Sequence, residues 1–466
     1  MNKAFALALV LVFLAAFFLT AFKQAWADSQ VPQLQWSLSY PRQPSTMNNA
    51  KVYHFDVGSC FVQTSDGGYL IAGNLEDDVY WGPHGGFFDN YSATIIKTDS
   101  FGNLQWQKIN PAFSNTVAIF QTKDLGYLAI VGGWYLLKLD AQGNIQSNST
   151  LGISISGAIQ TADGDYVLAG TNDKIGMLVK TDENGNLLWN TTLFSLDPHS
   201  NDIWASNLAM TKDGGYEVAC WGEGYGEVIG TDADLALFKT DSNGNLQFSK
   251  SYNYNPAAGQ TLPPEVSSGN PTFPTEVYIA ATNDGGCLLA GTADSPDFTA
   301  PFLVKIDSQG NWEWNRTYVT SDMLGGSIAS VVQGTDGGYF AVGSIGSNDA
   351  SKGALLFKTD ALGNMQWNQT YGQASATLVS LANDGGYTVT GSGSGNIWLA
   401  EFALPKANVS SNTPFPTAIT PFSPAMIAVI VVAVVVSVTS LLVYLKKYRH
   451  QNSLPTPPLP ETATFI

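Results

Sequence analysis

Residues able to do covalent or acid–base chemistry are scarce in this chain, and they are poorly placed for it. His54, His84 and His199 are the histidines of the central stretch, and no two are spaced as metal ligands. There is no Gly-x-Ser-x-Gly elbow, phosphate-cradling glycine loop or paired-cysteine zinc motif. Cys60, Cys220 and Cys287 are far apart and odd in number. At most one disulfide can form, and three buried, inert thiols are expected. Carboxylates are plentiful (Glu76, Asp77, Asp78, Asp202, Glu223, Asp232 and Asp234), but an acidic chain brings acids together by chance. The expectation is therefore no catalytic residue, no metal and no cofactor.

Two recurrent polar patterns read as scaffolding. Turns such as DENGN (Asp182 to Asn186) share spacing with calcium loops but lack the downstream bidentate Glu, so a repeated β-turn is expected. Lys97, Lys138, Lys180, Lys239, Lys305 and Lys358 each stand two residues before an Asp. Strand geometry puts such a pair on one side, which predicts a repeated structural ion pair. Glu401 takes the Lys position in the last copy.

Aromatics are the residues best suited to recognition. Tyr80, Trp81, Phe88, Trp134, Trp204, Trp221, Tyr225 and Trp398 stand in or beside variable segments that also carry the acids above. Aromatic plates with carboxylates suit sugars, cationic ligands or peptides. Of these, Tyr80, Trp81, Trp134, Trp204, Trp221, Tyr225 and Trp398 are the candidate binding residues.

What must position them is a repeat. Asp66, Asp124, Asp163, Asp213, Asp284, Asp336 and Asp384 recur at a mean spacing of 53 residues, room for four strands and their loops. Each opens the turn between a first strand A and a second strand B, and the Asp-Gly-Gly found there is a hairpin signal. Strand C resembles ALLFKTD, and a Gly-Asn turn leads to strand D, with its Leu-Gln-Trp signature. The D-strand aromatics are expected to pack between neighbouring sheets.

Counting strands predicts closure. There are seven A–B hairpins but six internal D strands, and the seventh unit stops at strand C, NIWLAEFA (Asn396 to Ala403). An orphan D strand, with Leu34, Gln35 and Trp36, lies at the N-terminus. It should complete the last sheet and close a ring without exposed array edges. The predicted fold is an all-β, seven-bladed propeller of four-stranded antiparallel blades closed by the N-terminal strand.

The pattern DGGY … K-T-D-x-x-G-N-x-x-W resembles the quinoprotein-like (PQQ-like) propeller repeats of secreted bacterial and archaeal proteins over nearly all of Asp28 to Leu404. The resemblance implies the propeller. The quinoprotein dehydrogenases carry a D-strand turn one residue longer with Thr-Gly, where this chain has Gly-Asn.

In an up-and-down blade, A–B and C–D turns share one face, and B–C and D–A connections share the other. The first two classes are short and uniform here; the second two vary, from 74–92 and 221–234 to the Pro-rich 255–276. Diverse loops on a regular scaffold predict the binding face.

The ends place the propeller outside a cell. Residues 1–27 read as a signal peptide, with Lys3, an apolar run and Ala25-Trp26-Ala27 before Asp28. Residues 405–424 form a Pro/Ser/Thr-rich stalk. Ala425 to Leu445, 21 uncharged residues, is long enough for a membrane helix. Lys446, Lys447 and Arg449 begin a cytoplasmic tail, 446–466. The domain 28–404 carries 37 acidic against 15 basic residues, which excludes nucleic acid as a natural partner. Sequons at Asn90, Asn148, Asn190, Asn315, Asn368 and Asn408 fit an extracellular glycoprotein.

The functional expectation is a cell-surface binding or adhesion module for a glycan, peptide or protein. A surface enzyme, polysaccharide-cleaving or quinone-dependent, and a structural envelope protein are the alternatives.

Overall fold

A computed structural model describes residues 32–41, 51–54, 56–80, 87–193, 203–223, 233–252, 277–294, 299–318, 323, 325–346, 353–372, 374–382 and 385–403. The leader, stalk and membrane-span expectations lie outside these residues. Among those described, no helix is long and apolar enough to cross a membrane.

The described residues begin with β1 (Gln33–Tyr40) and β2 (Lys51–His54). Blade 1 is β3 (Val57–Gln63), β4 (Tyr69–Tyr80), β5 (Phe87–Thr98) and β6 (Leu104–Asn110). Blade 2 is β7 (Thr116–Gln121), β8 (Tyr127–Val131), β9 (Tyr135–Leu139) and β10 (Ile145–Thr150). Blade 3 is β11 (Ser154–Gln160), β12 (Tyr166–Asn172), β13 (Ile175–Thr181) and β14 (Leu187–Leu193). Blade 4 is β15 (Ile203–Met210), β16 (Tyr216–Glu223), β17 (Ala233–Thr240) and β18 (Leu246–Tyr252). Blade 5 is β19 (Tyr278–Ala281), β20 (Cys287–Asp294), β21 (Thr299–Ile306) and β22 (Trp312–Thr317). Blade 6 is β23 (Gly326–Gln333), β24 (Tyr339–Ile345), β25 (Gly353–Thr359) and β26 (Met365–Tyr371). Blade 7 is β27 (Ala374–Leu381), β28 (Tyr387–Gly393), β29 (Asn396–Ala403) and, as its fourth strand, β1.

The N-terminal strand closes the ring. β1 runs antiparallel to β29, with Gln33 opposite Ala403 and Tyr40 opposite Ile397. Each strand A touches the strand A of the next blade, and β27 touches β3, so the circuit is complete. The middle strands B and C are the most buried, as β8 and β25 show, while β10 is exposed along its whole length. This gradient is what a radial blade requires: each inner strand is covered by two neighbouring sheets, the outer strand by fewer atoms.

The two turn types explain the repeated residues. In the A–B turn, Gly67 has φ +81°, and a Cβ on the following Gly68 would lie 2.2 Å from the Thr98 carbonyl oxygen. The first glycine supplies a left-handed backbone and the second a close approach. In the C–D turn, one Asp99 oxygen accepts from the amides of Phe101 and Asn103 (2.9 and 2.8 Å), and the other from the Asn103 side chain (2.9 Å). The same closed Asp–Asn turn recurs at Asp140, Asp182, Asp241, Asp307 and Asp360.

Blades are stitched at the D strands. Trp36, Trp106, Trp189 and Trp314 each approach the first tyrosine of the next strand B, at ring distances of 5.8–6.1 Å. A Cβ on the next blade's turn glycine would strike the same indoles, as Gly102 would strike Trp36 at 2.8 Å. Four residues on, the phenols of Tyr40, Tyr252 and Tyr318 donate to the carbonyls of Gly102, Gly310 and Gly363. The expected inter-blade role of the aromatics is thus realised through a shared W/F-x-x-x-Y geometry.

Two expectations change. Residues 74–92 read as a loop, but β4 and β5 continue their ladder through Tyr80 and Phe87, leaving only 81–86 outside it. Leu75, Val79, Phe87 and Phe88 are strand-favouring, and nothing in the ladder interrupts the register. β2 adds a fifth strand against this extension, with Lys51 opposite Tyr80. The strand-C lysines also choose a different partner. Lys97 binds Asp66 of the A–B turn at 2.9 Å, not Asp99. Lys138, Lys180, Lys239, Lys305 and Lys358 likewise reach Asp124, Asp163, Asp213, Asp284 and Asp336. Asp99 is consumed by its own turn, and the C–D ladder shifts register directly after the lysine.

Candidate functional site

On the face carrying the A–B and C–D turns, the turn aspartates among the described residues are satisfied by turn amides, threonine hydroxyls and lysines. For Asp66, partial burial raises the carboxyl, but the Thr64 hydroxyl, the Lys97 ammonium and the Gly68 amide outweigh it and bring it down to about 2. Adjacent A–B turns are linked as well: the Ser65 amide donates to the Gln121 side chain at 2.7 Å, and the Asn283 amide to Gln333 at 2.8 Å.

The opposite face is built from B–C turns and D–A connections braced blade to blade. Ile155 donates to the Gly133 carbonyl (2.6 Å) and Ile203 to that of Lys174 (2.7 Å). On this base the Gly132-Gly133 turn, both residues at positive φ, raises Trp134 and Tyr135 into solvent at 46% and 41% exposure. Phe113 of the preceding D–A connection packs on Tyr135, with ring centroids 5.2 Å apart. Beside blade 1, the exposed Tyr91 phenol donates to Glu76 at 3.0 Å.

The other sequence candidates fall in different places. Trp204 is half-buried on β15, opposite Trp221 of β16 in the ladder, and the Lys174 ammonium lies 6.0 Å from its ring centre. Tyr80 closes β4, where its register partners are Lys51 and Phe87. Trp81 and Tyr225 lie outside the described residues. Trp398 is turned into the fold: it is 6% exposed, packs in the core between blades 6 and 7, and donates through its indole nitrogen to Ser37 at 3.3 Å. Its indole is occupied by packing and is left out of the proposed binding set. The structure therefore sets Trp204 at the register position opposite Trp221, and packs Tyr135, next to Trp134, against Phe113. Sequence reasoning missed Tyr135 and Phe113; the unbroken Trp-Tyr step after two glycines was the available signal for Tyr135.

Among the described residues, no group of three or more His, Cys, Asp or Glu is placed to hold a metal ion. The three cysteines are free and buried, and burial pushes the Cys60 thiol up to about 12. Asn148 on β10 and Asn190 on β14 are exposed; Asn315 on β22 and Asn368 on β26 are half-buried. Asn90 lies on β5 with its side chain outside the description, and Asn408 lies outside altogether.

No family model matches the chain, and no curated protein matches it. Similar solved structures include BamB from Moraxella catarrhalis (10% identity, 76% of this chain and 100% of that one, TM-score 0.40). A catalytically inactive virginiamycin B lyase from Staphylococcus aureus, solved with quinupristin, aligns at 10% identity over 76% and 100% of the two chains (TM-score 0.42). BBS1N in complex with ARL6DN aligns at 10% identity over 81% and 98% (TM-score 0.46). At such identities and scores these likenesses carry nothing about what this chain does.

Proposed function

We propose that the chain is a cell-surface binding module whose loop face recognises an extracellular glycan, peptide or protein. The observation that carries this reading is the contrast between the two faces. One spends its polar groups on its own turns and neighbours. The other holds stiff, exposed aromatics on a hydrogen-bonded base, and such side chains give broad contact area at low entropy cost.

In the same reading, residues 1–27 are a signal peptide, 405–424 a stalk, 425–445 a single membrane helix and 446–466 a cytoplasmic tail. The repeat is of the quinoprotein-like kind, used as a scaffold without a cofactor. Gln33 lies opposite Ala403, so the propeller's two chain ends leave side by side at the C–D turn position of blade 7. The loop face lies at the other end of the same strands.

The test is binding of the full-length protein, in liposomes, to isolated cell-envelope material. Replacing Trp134 and Tyr135 together by Ala should lower retention at least tenfold with the melting temperature unchanged. Changing exposed turn-face residues Phe101 and Leu362 to Ser should leave retention intact. The reverse pattern would overturn the assignment of the face.

A further inference from the structure

The seam between blades 4 and 5 departs from the other six. At the second position of strand B the blades carry Leu70, Leu128, Val167, Leu288, Phe340 and Thr388, but blade 4 has Glu217. At the first position six blades carry tyrosine and blade 5 has Cys287. These two positions meet across seams: Phe340 of blade 6 stacks on Tyr387 of blade 7, with centroids 3.9 Å apart and planes 8° apart. In blades 4 and 5 the meeting pair is a carboxylic acid and a thiol. The swap of an apolar side chain for Glu is matched by the swap of Tyr for a much smaller residue, so the acid is accommodated by a paired change.

Glu217 is 0% exposed, and neither of its oxygens has a conventional hydrogen-bond partner. The groups facing it are few. From β17, Lys239 is its ladder partner, yet the ammonium stands 3.9 Å away and lies closer, at 3.3 Å, to Asp213 of the A–B turn. From β20 comes the Cys287 thiol. From β21, Lys305 acts at longer range and is itself held by Asp284 (2.9 Å) and Glu313 (3.3 Å). From β18, the Tyr252 phenol is committed to the Gly310 carbonyl. A buried carboxylate whose nearby donors are a weak thiol and an ammonium held closer by another acid is costly in its ionised form, whereas the neutral acid is tolerated.

We infer that Glu217 is a proton-controlled latch on the blade 4–blade 5 seam, which holds the seam closed while protonated and loosens it when the proton leaves. Burial pushes its carboxyl up to about 7, against the pull of Lys239. The folded acid therefore binds its proton more tightly than the opened one. That contribution to stability is complete below the ordinary carboxylate range and is lost as pH rises to about 7.

Thiol labelling of the full-length protein tests this. The probe is a small maleimide, and the readout is the labelling rate of Cys287 relative to Cys60 in blade 1, a ratio that cancels the thiols' common pH dependence. In the wild type the ratio should climb about tenfold per pH unit from about pH 5 to 7 and then level off. In Glu217→Gln and in Glu217→Leu, the residue type of three other blades, it should stay flat. A flat ratio in the wild type, or the same climb in either folded variant, would overturn the latch.

Discussion

The Tyr40 phenol donates a 2.7 Å hydrogen bond to the carbonyl of Gly102, 62 residues along the chain and in the next blade. The bond repeats those of Tyr252 and Tyr318 across later seams, so the first strand of the chain is held as an ordinary fourth strand would be. Tyr40→Phe should cost about 1 kcal/mol, the net worth of one hydrogen bond. Trp36→Ala should cost about 2 kcal/mol, less than for a fully buried tryptophan because Trp36 is half-buried. Urea unfolding of both variants measures this. Stability unchanged in both would mean that β1 does not close the ring.

Leu125 occupies the left-handed position of the blade 2 A–B turn, at φ +64°, where other blades place glycine. Its side chain is exposed and gains little there. Leu125→Gly should therefore stabilise the protein by about 1 kcal/mol, relief of strain exceeding the entropy of the added glycine. Destabilisation in the melting curve would contradict the strain.

Acid should loosen the turn face. The Thr161 hydroxyl and Lys180 ammonium bring Asp163 down to about 2, as the partners of Asp66 do there. A carboxyl lowered by folding contributes stability above its ordinary range and loses it as pH falls towards 2. Both carboxylates are more than half exposed, so screening limits each to a few tenths of a kcal/mol up to about 1. Asp66→Asn and Asp163→Asn should flatten the stability curve between pH 4 and 2, as measured by denaturant midpoints across that range.

Sequon use should follow exposure if the host attaches N-glycans. Asn148 and Asn190 are open, while the Asn368 amide rests 3.5 Å from the Met365 sulfur. Mass spectrometry of tryptic peptides should find occupancy at the first two above that at Asn315 and Asn368. Equal occupancy at all four would show that strand burial does not govern modification.

Trp398→Ala should reduce stability by about 3 kcal/mol, because a core indole is lost. Under native conditions the same variant should retain envelope-material binding. A selective loss of binding without a change in melting temperature would return Trp398 to the recognition surface.

The blade count and the closure were legible because turn residues mark the first hairpin of all seven units and the second hairpin of six, and an unmatched Trp36 strand could pair with only one partner. Exposure was less legible. Tyr135 and Trp398 occupy the same place relative to the end of strand C, three residues before Lys138 and Glu401. One is 41% exposed and the other 6%. The difference comes from neighbours: Trp398 reaches Ser37 of a strand hundreds of residues away, which local pattern does not encode. The lysine partner was hidden for a related reason. Period two names the side of a strand, but not which loop on that side arrives first. Glu217 is the one acid at the second position of strand B, and its meaning depends on Cys287 across the seam.

The ladder between β1 and β29 also decides how the molecule bears force. A pull at Ala403 directed away from the loop face acts along β29, which lies between β28 and β1. Both ladders are then sheared, and their rungs resist together. A pull that separated Gln33 from Ala403 would open the same ladder from its end, one rung after another. Traction applied at Ala403 therefore meets the stiff direction of blade 7, and β1 acts as the mechanical lock on β29.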